Sequence, residues 1–351
     1  MNPMVPTADA IPVSWGYFQA LLMITFPIHL LFMNAMLGTT AVSLYACIKG
    51  GKTHTRLARD LAKILPFTVA FTINFGVAPL LFLQVIFGHL FYTSSVLMAL
   101  YWLSVPFILI VAYYAIYIYD FRFESLGRKG AVFLLLALAV FMTIPFIFTN
   151  NMTLMLEPRQ WTAYFGNRGG AVLNGYKVVV WSRYLHFITG GLAVGGLFVA
   201  LLGKIKGKRD PQLGELAVRI GMNMFTSLTV LQITIGFWFL TSMPPAVKLP
   251  FLGERAESTA LLIAGLLIAL LALGTGFGRK VLPSVALVVP LVIMMIFIRD
   301  EVRALYLKPF FAPDMLDVVP QYSPFLLFAA TLMAGIATIG WMLRKTSKLY
   351  R

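Results

Sequence analysis

The stretch WSRYLHFITGGLAVGG, residues 181–196, places His186 inside an apolar run at about 179–203. A run of roughly 20 apolar residues is long enough to cross a bilayer as a helix. An imidazole held in hydrocarbon is costly and is usually functional. Eight further runs read the same way, at about 14–48, 65–92, 96–120, 130–149, 216–242, 258–277, 281–299 and 323–343. With 60% hydrophobic and only 12% charged residues over 351 positions, too little polar surface remains for a water-soluble globule. The expectation is an all-α fold: a polytopic membrane bundle of about nine transmembrane helices. The first run is long enough to need tilt or an extramembrane extension.

Sidedness follows from the basic residues, because cytoplasmic loops retain Lys and Arg. Lys49, Lys52, Arg56, Arg59 and Lys63 fall on one side, as do Arg122, Arg128 and Lys129. Lys204 to Arg209, Arg219, Arg279, Lys280 and a tail ending in Arg344, Lys345, Lys348 and Arg351 join them. Those on the other side, among them Arg159, Arg183, Lys248, Arg255, Arg299 and Arg303, stand mostly near acids such as Glu157, Glu254, Glu257, Asp300 and Glu301. The N-terminus is therefore expected outside and the C-terminus inside. The net charge of +15 resides in short loops, where topology and anionic headgroups account for it, and no nucleic acid is expected as a partner.

The single cysteine, Cys47, excludes an internal disulfide and any Cys-x-x-Cys-His attachment of haem. No internal repeat and no soluble domain is legible. The chain reads as one integral membrane domain, 1–351, with a four-helix unit at about 14–149 and helices five to nine at about 179–343. A short external loop spans about 243–257. The longer external connections, about 150–178 and 300–322, are where a partner subunit could dock.

Three histidines then carry the chemistry. His186 lies roughly 10 Å below the outer surface, with Gly190 one turn away on the same face. A neutral imidazole beside a bare helix face suits haem iron; equally, Gly191 and Gly195 can form a small-xxx-small helix contact with His186 merely hydrogen-bonded. His29 follows Pro27, which frees a backbone carbonyl that the imidazole could satisfy in place of a metal. His89, at the outer end of its span, is either a ligand or solvated. His54, in a basic inner loop, reads as solvated.

The order of motifs resembles subunit I of the cytochrome bd quinol oxidases over most of the chain. The resemblance rests on His29 in span one, then Ile73-Asn74-Phe75 and Gln84-Val85-Ile86-Phe87-Gly88 in span two. His186 and its glycines follow in span five, ahead of Lys206-Gly207-Lys208-Arg209-Asp210. After span six, Pro244-Pro245-Ala246-Val247-Lys248-Leu249 and then Glu254 match, in shortened form, the family's external quinol loop. The resemblance implies that His186 ligates a low-spin haem b and His29 a second haem iron, and that Lys248 and Glu254 face a quinol headgroup as acid/base groups. Glu301 or Asp300 would stand where the family has a haem-ligating glutamate. Span seven has neither Met nor His for the family's methionine ligand, so His89 is expected to pair with His186 or His29 as an axial ligand. The family's paired glutamates in span three and its Gly-Arg-Gln-Pro-Trp motif are missing.

The expected function is thus a quinol dehydrogenase subunit of a prokaryotic cytoplasmic (inner) membrane respiratory chain. It would carry one to three haem b groups and pass electrons from quinol or menaquinol to a partner such as an external c-type cytochrome or a second membrane subunit. The alternatives are a terminal quinol oxidase that reduces oxygen, and a haem-free quinone-binding anchor.

Overall fold

The computed structural model describes residues 5–349, so Arg351 of the basic tail lies outside the described residues. Among these residues nine helices are long and apolar enough to cross a membrane. The only β pairing among them is a bridge between Ile11 and Val318. In chain order the spans are Trp15–Lys49, Leu65–Leu97, Ala99–Phe121, Ala131–Met155, Val178–Lys206, Pro211–Ser242, Ala256–Phe277, Val281–Leu307 and Tyr322–Leu349.

Three spans run further outward than their hydropathy indicates: the second to Leu97, the fourth to Met155 and the eighth to Leu307. The added turns are polar because they face one another across the bundle. Ser94 Oγ donates to Asn151 Oδ1 at 3.3 Å, Asn151 Nδ2 donates to Ser95 Oγ at 3.1 Å, and Arg183 Nη1 donates to Thr153 Oγ1 at 3.1 Å. A backbone bonded within its own helix and side chains bonded between helices leave few polar groups to lipid.

Local signals fix the ends. Gly50 closes the first span with φ +68°, a conformation that only glycine adopts without strain. Asp210 caps the sixth by accepting from the Leu213 N–H at 3.2 Å, with Pro211 at the first helical position. Between the first two spans an amphipathic helix, Lys52–Ala62, buries Leu57, Ala58, Leu61 and Ala62.

Charged connections meet at each end of the bundle. Arg56 pairs with Asp210, Arg59 with Glu124, and Lys206 Nζ lies 2.6 Å from Asp60 Oδ2, which joins three inner connections. At the opposite end Lys177 pairs with Glu157, and Arg255 bridges Glu257 and Glu301.

In lipid, apolar burial gives little drive for helix association, and close packing of small residues takes over. The first and fifth spans meet at Gly38 and Gly195. A Cβ on either glycine would strike the other's backbone. This contact organises the fold, because the spans around it are arranged alike. The first packs on the second and fourth, and the fifth on the sixth and eighth; the third pairs with the fourth, and the seventh with the eighth. Spans one to four and five to eight are thus two similarly connected four-helix groups related across the Gly38–Gly195 contact, an internal repeat of packing that the sequence does not display. The ninth span stands outside both groups. It touches the first through Tyr17 and Phe325, ring centroids 5.6 Å apart, and the second through Phe82 and Phe328, 6.2 Å apart.

Candidate functional site

His29 precedes Gly38 by nine residues, and His186 precedes Gly195 by nine (29 to 38, 186 to 195). The two spans run in the same direction, so both histidines lie about 14 Å outward of the glycine contact, at 1.5 Å per residue. They share a depth but turn opposite ways: His29 toward the second span, His186 toward the sixth.

His29 Nδ1 is 3.0 Å from the backbone carbonyl of Thr72. A nitrogen facing a carbonyl must carry the proton, which leaves Nε2 with a free lone pair. Metal-ligating histidines are held and oriented in this way. The partner is a carbonyl of the second span, not the one that Pro27 frees in the first. Space for the ring comes from Gly76, where a Cβ would come within 2.8 Å of His29 Cε1. Phe26 stacks on the imidazole with centroids 6.3 Å apart.

At His186, Gln232 Nε2 of the sixth span lies 3.1 Å from the imidazole Nε2 and donates to it. His186 Nδ1 and Gln232 Oε1 are both buried and have no partner among the described residues. Each such orphan costs about 1–3 kcal/mol. Glycines again provide the room: a Cβ at Gly190 would lie 2.9 Å from Gln232 Nε2, and one at Gly236 would lie 3.1 Å from His186 Cε1. The bare face at Gly190 thus admits Gln232, while Gly191 and Gly195 serve the helix contact with Asn34 and Gly38.

Between the two histidines, on their outer side, lie three arginines. Arg299 sits over Phe26 at 4.6 Å, Arg303 over Phe87 at 4.4 Å, and Arg183 over Phe239 at 5.4 Å and Tyr306 at 5.8 Å. Phe26 is the ring that stacks on His29, and Phe239 lies 6.0 Å from the His186 ring. One aromatic side chain therefore links each histidine to a guanidinium. Arg303 is 5% exposed and pairs with Asp300, which also accepts from Gln19 Nε2 at 2.7 Å. Taking an ion out of water costs several kcal/mol, so an excess of cations here calls for compensation.

Both acids of the Asp300-Glu301 pair are already engaged. Glu301 accepts from Arg255 Nη1 at 2.7 Å and from Ser258 Oγ at 3.0 Å, and Asp300 holds Arg303 and Gln19. The structure therefore gives Glu301 an ion-pair role at the outer end. His89 is thirteen residues outward of Gly76 on the second span (76 to 89), about 20 Å from the level of His29 along the axis. It cannot share one iron with His29, nor with His186 at the same depth. Its ring instead meets Phe311 edge-on at 4.5 Å. Lys248 Nζ donates to the carbonyl of Thr241 at 3.3 Å, and Glu254 is exposed. The two occupy one external connection, before and after the turn Leu249–Leu252, without an ion pair between them. His54 lies in the amphipathic helix beside Tyr45, centroids 6.2 Å apart.

Gln232, Thr72 and the two facing glycines Gly76 and Gly236 are the members of the site that sequence reading misses. Gln232 carries a signal, being an amide in mid-span; a backbone carbonyl carries none. No protein-family model and no curated protein sequence matches the chain.

Proposed function

We propose that this chain is the membrane subunit of a quinol dehydrogenase that holds b-type haem on His29 and His186 and accepts electrons from a quinol at its outer face. The observation that carries the reading is the pair of histidines at one depth. Each faces a glycine on the neighbouring span, and His29 is fixed by Thr72 with its Nε2 lone pair free. As placed, Gln232 donates to His186 Nε2 and puts the imidazole proton on Nδ1; with the amide turned over, Oε1 would accept from Nε2–H and leave the buried, unpartnered Nδ1 with a lone pair for a further group. Bound haem would supply the one-electron couple.

The chain's own residues would do the rest. Thr72 and Gln232 orient the imidazoles, Phe26 and Phe239 exclude water, and the arginines raise the local positive potential. A quinol gives up two protons with its two electrons, so a proton acceptor is needed near its headgroup. In the outer connection after the sixth span, the Glu254 carboxylate would take the two protons one after the other, releasing the first to outer water before accepting the second, while the Lys248 ammonium would donate a hydrogen bond to the quinol oxygen. Protons would leave on the outer side, and the partner, a c-type cytochrome or second subunit, would dock on the outer connections. Oxygen reduction is not proposed, because it needs a supply of protons and the third span has no acid before Asp120 at its inner end.

Turnover with a reduced quinol analogue tests this assignment. Glu254→Gln and Lys248→Ala should each slow quinol oxidation by about tenfold or more, in the range of general acid–base and charged hydrogen-bond contributions, while haem content is kept. Unchanged turnover in both would remove the quinol site from this loop. A second reading has its own support: His186 and His29 already have protein partners, as in a haem-free quinone-binding anchor. Haem content separates the two.

A further inference from the structure

We infer that Arg183, Arg299 and Arg303 form a binding site for an acidic ligand group, either a pair of carboxylates or a phosphate, on a molecule whose apolar body lies within the bundle. Arg299 lies close to both Arg303 and Arg183, and the carboxylate beside it, Asp300, is already bonded to Arg303. The nearby Glu157 is engaged by Lys177. Arg299 is exposed eight residues before the end of the eighth span, about 12 Å along the axis. Among the described residues it has neither an ion pair nor a side-chain hydrogen bond, and its contact is the Phe26 ring. Arg299 closes the apolar stretch 281–299, where acyl chains do not solvate a cation and an anion or water must meet it.

The unmet hydrogen-bonding capacity gathers at the same place. Arg303 Nη1 and the Tyr306 hydroxyl are buried without a partner, on residues 5% and 8% exposed. Arg299, Arg303 and Tyr306 stand at i, i+4 and i+7, on one face of the eighth span. Gln19 of the first span and Arg183 of the fifth close the site from the sides. Two forked guanidinium groups and a hydroxyl are donors with the geometry that carboxylate and phosphate oxygens take. Phe26, Phe87 and Phe239 provide an apolar wall beneath them. The site therefore selects an amphiphile with its acid end outward. The site is built from the arginines alone and stands whether or not the histidines carry iron.

The test uses the full-length chain in detergent or nanodiscs, and three probes that separate the sources of the acid group. They are haemin against its dimethyl ester, phosphatidylglycerol against phosphatidylcholine, and inorganic phosphate. Arg299→Gln removes charge without breaking an ion pair and should leave the protein folded and monodisperse. Arg299→Lys keeps the charge, and Arg279→Gln at the inner end is the control. We expect the wild-type chain to prefer at least one acidic probe over its neutral counterpart by about tenfold, or to gain thermal stability from phosphate. The effect should be lost in Arg299→Gln, partly restored in Arg299→Lys and kept in Arg279→Gln. Absence of preference for any acidic probe, or a preference that Arg299→Gln retains, would overturn the inference. Haem binding without acid preference would remove this site and leave the haem reading. Dependence of an acidic lipid on Arg299 without haem binding would do the reverse.

Discussion

Thr72 and Gln232 show how much of the site depends on single atoms. A backbone carbonyl decides that the proton of His29 sits on Nδ1, and an amide that donates to Nε2 decides that the proton of His186 sits on Nδ1 as well. Sequence reading identifies both histidines, because an imidazole stands out in an apolar run, but a carbonyl partner leaves no trace in residue type. The glycines opposite the rings give a graded expectation. Gly76→Ala would bring a methyl within 2.8 Å of His29 and force the ring to move, whereas Gly236→Ala would meet His186 at 3.1 Å, which a small shift relieves. Haem content per protein should therefore fall further in Gly76→Ala than in Gly236→Ala. Equal, wild-type content in both would mean that the facing glycines do not shape the site.

Span existence is legible from hydropathy because lipid imposes length and composition directly. Span ends are not, wherever polar residues turn inward. Ser94, Ser95, Asn150, Asn151 and Thr153 read as the edge of the membrane and are instead buried: Ser94, Ser95 and Asn151 form a seam between the second and fourth helices, Asn150 accepts from the Asn174 N–H and Thr153 from Arg183. Interhelical hydrogen bonds in lipid average about 0.6 kcal/mol, with a maximum near 1.7. Asn151→Ala should therefore cost about 1 kcal/mol in an equilibrium unfolding measurement. Gly38→Val is a different matter, because overpacking costs about 1–3 kcal/mol even where side chains can yield. Here the Cβ meets the backbone of Gly195. Gly38→Val should destabilise more than Asn151→Ala, and a reversed order would deny the glycine contact its organising role.

For the whole molecule, the gathering of basic loops at one end is legible in the sequence and the symmetry is not. Loop charge predicts the sidedness, and the pairing of Arg56, Arg59 and Lys206 with acids of other connections gathers the basic loops at one end of the bundle. Those exposed pairs contribute at most about 1 kcal/mol each, so their importance is topological. In a Cys47→Ser background, Glu254→Cys should react with an impermeant maleimide from outside, and Lys208→Cys only after permeabilisation. The opposite pattern would invert the topology. The twofold arrangement of spans one to four and five to eight escapes sequence reading because packing needs only small residues and apolar faces at matching depths. His29 and His186 end up at one level through it, and the acidic and basic outer loops could not have revealed that.

Whether both histidines carry haem iron is decided by a pyridine haemochrome assay. It should be paired with reduced-minus-oxidised spectra of the purified wild type, His29→Ala and His186→Ala, before and after carbon monoxide. The wild type should show b-type bands, and each variant should lose a distinct part of the spectrum while remaining folded. A folded wild-type protein without haem, or spectra that neither substitution alters, would contradict it.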